Sequence, residues 1–215
     1  NLQHVSFKEF VDKLAALLPA VENFGSYNVV FDGEHHSKAW VYSLIEGTID
    51  NHPVKKVNVK DFLPDVNVFE HLETKKFVIF DDGAYSGSQL RVNILQIMLA
   101  AASQQYSDTL EFLLCVPYMT ELARYDISKL ETSCLRLNVR VRIRIAEPVS
   151  VMTTTRELLD ENDIAILKRE HEEFASDLFL NSTLTYFDHK IPDVQSFNAV
   201  VAGLFAGRVR SPYSE

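Results

Sequence analysis

The sequence predicts an α/β protein with a mainly parallel central sheet flanked by helices. Three observations carry this. Short apolar runs recur along the chain and alternate with segments of helical periodicity, the pattern of βαβ units. Lys76-Phe77-Val78-Ile79-Phe80 is almost entirely large and apolar, which suits a strand buried on both faces, as in a parallel sheet. Of 215 residues, 47% are hydrophobic and 24% charged. That composition excludes a disordered or collagen-like chain and leaves enough apolar mass for a sizeable core.

The elements follow in order. Phe7, Phe10, Val11, Leu14, Leu17 and Leu18 have helical spacing, and Pro19 is expected to stop that helix. Tyr27 to Phe31 reads as a buried strand running into Asp32-Gly33. A helix opens at Ser37 or Lys38 and runs through Leu44 and Ile45, with Trp40 and Val41 turned to the core. Residues 55–65 are ambiguous, with one short strand at Val57–Val59. Lys76–Phe80 is the clearest strand, and after a loop a helix runs from Ser88 to Ser103. Leu110–Val116 is a strand and Met119–Leu130 a helix. From Leu137 to Ile145, Val139, Val141 and Ile143 alternate with Arg140, Arg142 and Arg144, the pattern of a half-buried strand near a sheet edge. Its arginines read as a solvated, aggregation-blocking face rather than as an anion or RNA site. A charged helix over Glu157–Leu180, a strand at Thr183–Phe187 and a helix at Phe197–Phe205 complete the chain. With no repeat, low-complexity tract or linker, residues 1–215 read as one domain, and the start at Asn1 rather than Met reads as a piece of something longer.

Charge and cysteine content narrow the function. Lys and Arg number 21 against 30 Asp and Glu, a net charge of −9, so duplex nucleic acid is not an expected partner. Cys115 and Cys134 are too few for a disulfide framework, which points to the cytoplasm. No apolar run approaches the roughly 18–20 residues that a membrane helix needs, and Asn1–Phe10 has neither the basic start nor the apolar stretch of a signal peptide.

The chemistry concentrates in Phe77-Val78-Ile79-Phe80-Asp81-Asp82-Gly83-Ala84-Tyr85-Ser86-Gly87-Ser88-Gln89. Two acids stand where a buried strand ends, and a short loop with two glycines leads straight to a helix N-terminus. Ligands of open α/β sheets bind beyond the carboxyl ends of the strands. A helix N-terminus offers N–H groups and the positive end of a dipole to a phosphate. Small residues there let the backbone approach an anion, and two carboxylates beside the cradle suit a sugar diol, a metal, or both. Together these features predict a phosphorylated sugar. Asp-Asp-Gly after a strand is also a common turn, and Ser before a helix a common cap, so the whole arrangement carries the argument rather than the triplet.

This segment resembles the signature of type I phosphoribosyltransferases: a hydrophobic strand, two acidic residues, three variable ones, then Thr/Ser-Gly-Gly-Thr. Asp81 and Asp82 match the acidic pair, and Ser86 and Gly87 the Thr/Ser-Gly; Ser88 replaces the second Gly and Gln89 the final Thr. The resemblance implies a phosphoribosyltransferase-like fold whose N-terminal helix and late segments form a small cap or hood. It implies that Asp81 and Asp82 hold the ribose hydroxyls of phosphoribosyl pyrophosphate, acting as the catalytic pair and meeting Mg²⁺ only indirectly. Tyr85, Ser86, Gly87, Ser88 and Gln89 would wrap the 5-phosphate. The loop after the first central strand, Asp32 to Lys38, would meet the pyrophosphate through Lys38 with Ser37 as donor, although Glu34, His35 and His36 replace the usual glycines there. By loose analogy His189, Lys190 and Asp193 would face the acceptor from the hood. The implied activity is transfer of the phosphoribosyl group to a nitrogen acceptor, with Mg²⁺ accompanying the donor, and family members are often homodimers. The same fold hosts non-catalytic nucleotide-binding regulatory modules, which Ser88 in place of the second Gly and the histidine-rich first loop favour. A hydrolase or lyase of a nucleotide sugar is a third class that such an acidic pair could serve.

Overall fold

The computed structural model describes residues 3–33, 37–63, 66–134, 137–154, 160–170 and 185–187. Its elements in chain order are β1 (Gln3–Val5), α1 (Phe7–Ala15), α2 (Leu18–Glu22), β2 (Asn28–Phe31), α3 (Ser37–Ile45), β3 (Lys55–Asn58), β4 (Lys76–Phe80), α4 (Ser88–Ser103), β5 (Leu110–Cys115), β6 (Tyr118–Thr120), α5 (Glu121–Ser128), α6 (Leu130–Cys134), β7 (Val141–Ile145), β8 (Ser150–Met152), α7 (Glu161–Glu170) and β9 (Thr185–Phe187). The contacts group the chain into two compact units, Lys8–Val151 and Asn1–Phe7 with Met152–Glu215.

The larger unit holds a five-stranded sheet in the order β3-β2-β4-β5-β7, every neighbouring pair parallel. Burial on both sides explains why β4 and β5 are nearly continuous apolar runs. On one face Val30, Phe77, Ile79, Phe112 and Leu114 join a single apolar cluster with Leu90, Ile94, Ile97 and Met98 of α4 and Ala123 and Ile127 of α5. On the other, Phe80 meets the ring of Tyr42 from α3 at 5.5 Å. β7 lies at the sheet edge, as its alternation predicts, with Arg142 and Arg144 exposed and sharing Glu111 at 4.0 and 3.4 Å. In the smaller unit β1 pairs in parallel with β9, Gln3 opposite Thr185.

Several boundaries differ from the sequence reading. Pro19 sits in the first turn of α2, where its missing N–H costs nothing, so it starts a second short helix instead of only stopping the first. Met119 and Thr120 belong to β6, and the helix expected from Met119 begins at Glu121 because Thr120 caps it, accepting the Ala123 N–H at 3.1 Å. Trp40 is 36% exposed rather than core, with its ring stacked on Phe10 at 5.7 Å. The first described element is a strand with no counterpart in the sequence reading, and β9 pairs with it. The Phe197–Phe205 helix and most of Glu157–Leu180 lie outside the described residues. No helix among the described residues is long and apolar enough to cross a membrane.

Candidate functional site

β2 and β4 are sheet neighbours, but the chain leaves them in opposite directions, toward β3 on one side and β5 on the other. Such a reversal opens a crevice beyond the strands' carboxyl ends. Both strands end alike there, in Phe31-Asp32-Gly33 and Phe80-Asp81-Asp82-Gly83. Lys38, from the first turn of α3, joins the two ends. Its Nζ lies 2.5 Å from Asp32 Oδ2 and 3.5 Å from Asp81 Oδ2, and its side chain is fully buried. Ser37 Oγ donates to Asp81 Oδ1 at 2.7 Å, and the Asp82 N–H donates to the same oxygen at 3.0 Å. From α4, Gln89 Nε2 and Asn93 Nδ2 donate to Asp32 Oδ2 at 2.8 and 3.5 Å. Asp32 Oδ1 is sealed and accepts no hydrogen bond among the described residues. The Gly83 N–H closes a turn on Asp82 Oδ1 at 2.9 Å.

The two bridged carboxyls are driven apart electrostatically. Burial pushes Asp81 above the usual carboxylate range; Lys38 opposes that, Asp82 adds to it, and burial wins. Burial pushes Asp32 up as well, but the hydrogen bond and charge of Lys38, with the Gln89 and Asn93 amides, outweigh it and hold Asp32 below its ordinary value.

The loop from Gly83 to Gln89 is held by β6 and α5. The Ala84 N–H donates to Tyr118 O at 2.9 Å, the Thr120 N–H donates to Ala84 O at 3.0 Å, and the Thr120 hydroxyl donates to Tyr85 O. Gly87, at φ +71°, is the residue from which α4 starts, and it brings no side chain to cap the helix. A Cβ there would stand 3.2 Å from Ala123 Cα and 3.3 Å from Ala123 O, so both the left-handed backbone and the close approach of α5 require glycine. Ser86 Oγ donates to Ser88 Oγ at 2.9 Å and accepts the Ser88 N–H at 3.3 Å. The result is a pocket of about 100 Å³ lined by Asp81 and residues from Gly83 to Leu90, opening on the N-terminal end of the 16-residue α4. That space suits a phosphate-sized group.

The structure thus brings together Ser37, Lys38, Asp81, Asp82 and Tyr85 to Gln89 at one crevice. Two side chains have different neighbours from those expected. Lys38 faces two carboxylates instead of an open loop surface, and the Gln89 amide reaches Asp32. His189, Lys190 and Asp193, like His35 and His36, lie outside the described residues. Sequence reasoning missed Asp32, Asn93 and Thr120. The repeated strand–Asp–Gly ending was the available signal for Asp32, and Thr120 carried a local one as the cap of α5, though its bond to Tyr85 O had none; Asn93 had none, since it acts through a partner distant in sequence.

A resident Mg²⁺ does not fit the carboxylates. No group of three or more metal-ligating side chains occurs among the described residues, and the Lys38 ammonium already stands between Asp32 and Asp81, where a dication would be needed to neutralise both. No family model matches the chain, and neither a curated protein nor a solved structure matches it.

Proposed function

We propose that this chain is a phosphoribosyltransferase-like protein that binds a ribose 5-phosphate compound across the β2/β4 crevice. The observation that carries the reading is the union of an acidic strand end with a glycine-started helix and a phosphate-sized pocket, at the one reversal in strand order. In it the 5-phosphate rests on the first turn of α4, beside Ser86 and Ser88. The ribose hydroxyls lie toward Asp81 and Asp82.

Two activities are compatible with such binding. One is a non-catalytic module in which a phosphoribosyl ligand regulates an interaction. It is favoured by the commitment of Lys38, the only lysine or arginine between Asp32 and Ala39, to the protein's own carboxylates. The other is phosphoribosyl transfer, favoured by the position of the acidic pair directly before the phosphate loop. There the acceptor nitrogen bonds to C1 as the C1–O bond to pyrophosphate breaks, and the anchored phosphate would supply remote binding energy to position C1. His189, Lys190 and Asp193 are proposed to face the acceptor in that case, and a homodimer is the proposed assembly.

Calorimetric titration of ribose 5-phosphate and nucleoside 5′-monophosphates tests the shared claim. Binding by the wild type that falls at least about tenfold (1.4 kcal/mol) in Asp82→Ala supports it; binding that survives the substitution unchanged contradicts the site. Acceptor-dependent release of pyrophosphate from phosphoribosyl pyrophosphate then separates transferase from module.

A further inference from the structure

We infer that the outward face of α4 is where two copies of this chain pair, antiparallel, about a twofold axis. This gives the homodimer proposed above a surface, and it does not depend on which ligand the crevice takes.

A helix that covers a sheet normally turns a charged or polar face to water. The outward side of α4 is different: no charged residue occurs from Val92 to Ser107. Its inward side is packed, with Leu90, Ile94, Ile97 and Met98 in the apolar cluster on one face of the sheet. Yet Val92 is 59% and Leu99 52% exposed, and Leu95 and Ala102 beside them are half-buried. These four stand at intervals of three, four and three residues, the spacing with which one helix packs along another.

The occupant follows from that spacing and from charge. The intervals read the same in both directions. In an antiparallel pair centred on Ile97, Val92 meets the partner's Ala102 and Leu95 meets the partner's Leu99, each contact occurring twice. The same register sets Arg91 beside the partner's Ser103, at the C-terminal end of α4, where the helix dipole is negative. Between these ends the seam carries no charge, so two copies of net charge −9 meet there without opposed like charges. The extent suffices as well. α5 flanks α4, with Ala123 against Gly87 and Tyr125 55% exposed. At the far end the exposed Val66 adjoins, its carbonyl accepting from Gln104 Nε2 at 2.5 Å. A face about 24 Å long and two helix diameters, about 20 Å, wide is of the order of the roughly 800 Å² that each partner of a stable interface buries.

Sedimentation equilibrium of the full chain tests the pairing, with Leu95→Glu, Leu99→Lys and their mixture. The wild type is expected to be a dimer. Each variant alone should raise the dimer dissociation constant at least about tenfold, because a charge is then buried against leucine. Mixing the two should restore the dimer, since the antiparallel seam sets the new carboxylate against the new ammonium. A wild type that stays monomeric up to about 100 µM overturns the inference and leaves the face to another occupant. A dimer that neither variant weakens overturns it too, as does a mixture that stays dissociated. Far-UV circular dichroism checks that the variants fold. Should either fail, oxidative cross-linking of mixed Val92→Cys and Ala102→Cys chains decides instead: more disulfide dimer is expected from the mixture than from either alone, and no excess counts against the pairing. Ribose 5-phosphate binding is read separately by calorimetry, and its absence overturns the crevice reading alone.

Discussion

Lys38 decides how the site holds together. A lysine with no exposed side-chain surface is tolerated because Asp32 and Asp81 compensate it, and removing one partner of a buried pair strands the others. Lys38→Met should therefore lower the unfolding free energy by about 3–5 kcal/mol in urea titration. A loss within the scatter of surface substitutions would show that the ammonium is dispensable. The acids respond to pH with opposite signs. Asp32 is depressed in the folded protein, so its stabilisation is present above the ordinary carboxylate value of about 3.9 and is lost as pH falls through the folded value. The stability gap between wild type and Asp32→Asn should accordingly narrow below about pH 4, and a gap independent of pH would contradict the Lys38–Asp32 pairing. Asp81 is raised, so its protonation above the ordinary carboxylate value stabilises the fold instead.

At the scale of elements, the loop from Gly83 to Gln89 depends on its neighbours β6 and α5 as much as on its own residues. Gly87→Ala must force a side chain into a left-handed backbone against Ala123. The expected cost is about 1–2 kcal/mol of stability in urea titration, with weakened ribose 5-phosphate binding; unchanged stability would mean that the loop relaxes without cost. This scale also divides what the sequence could reveal from what it could not. β4, α4 and the acidic pair were legible because their signals are local: an apolar run buried on both faces, helical spacing over four turns, and a Gly-Ser start. The edge position of β7 was legible from its alternation. β1, β6 and the exposure of Trp40 were not, because three-residue strands exist only through a partner far along the chain, and a tryptophan's burial depends on what packs over it. Lys38 was singled out by type and place, yet its partners are set by the sheet order, which puts β2 beside β4.

For the whole molecule, a sheet ordered β3-β2-β4-β5-β7 has one reversal, and every site residue named here from Asp32 to Asn93 converges on it. The central claim is that this reversal binds the phosphate of a phosphoribosyl compound at the start of α4. The most direct measurement is amide chemical-shift mapping of the isotope-labelled chain as ribose 5-phosphate is added, with ribose as control. The account predicts saturable shifts centred on Gly87, Ser88, Gln89 and Leu90, reaching Asp81 and Asp82, and much weaker ones with ribose. Shifts that leave those amides untouched, or none at all, would contradict it.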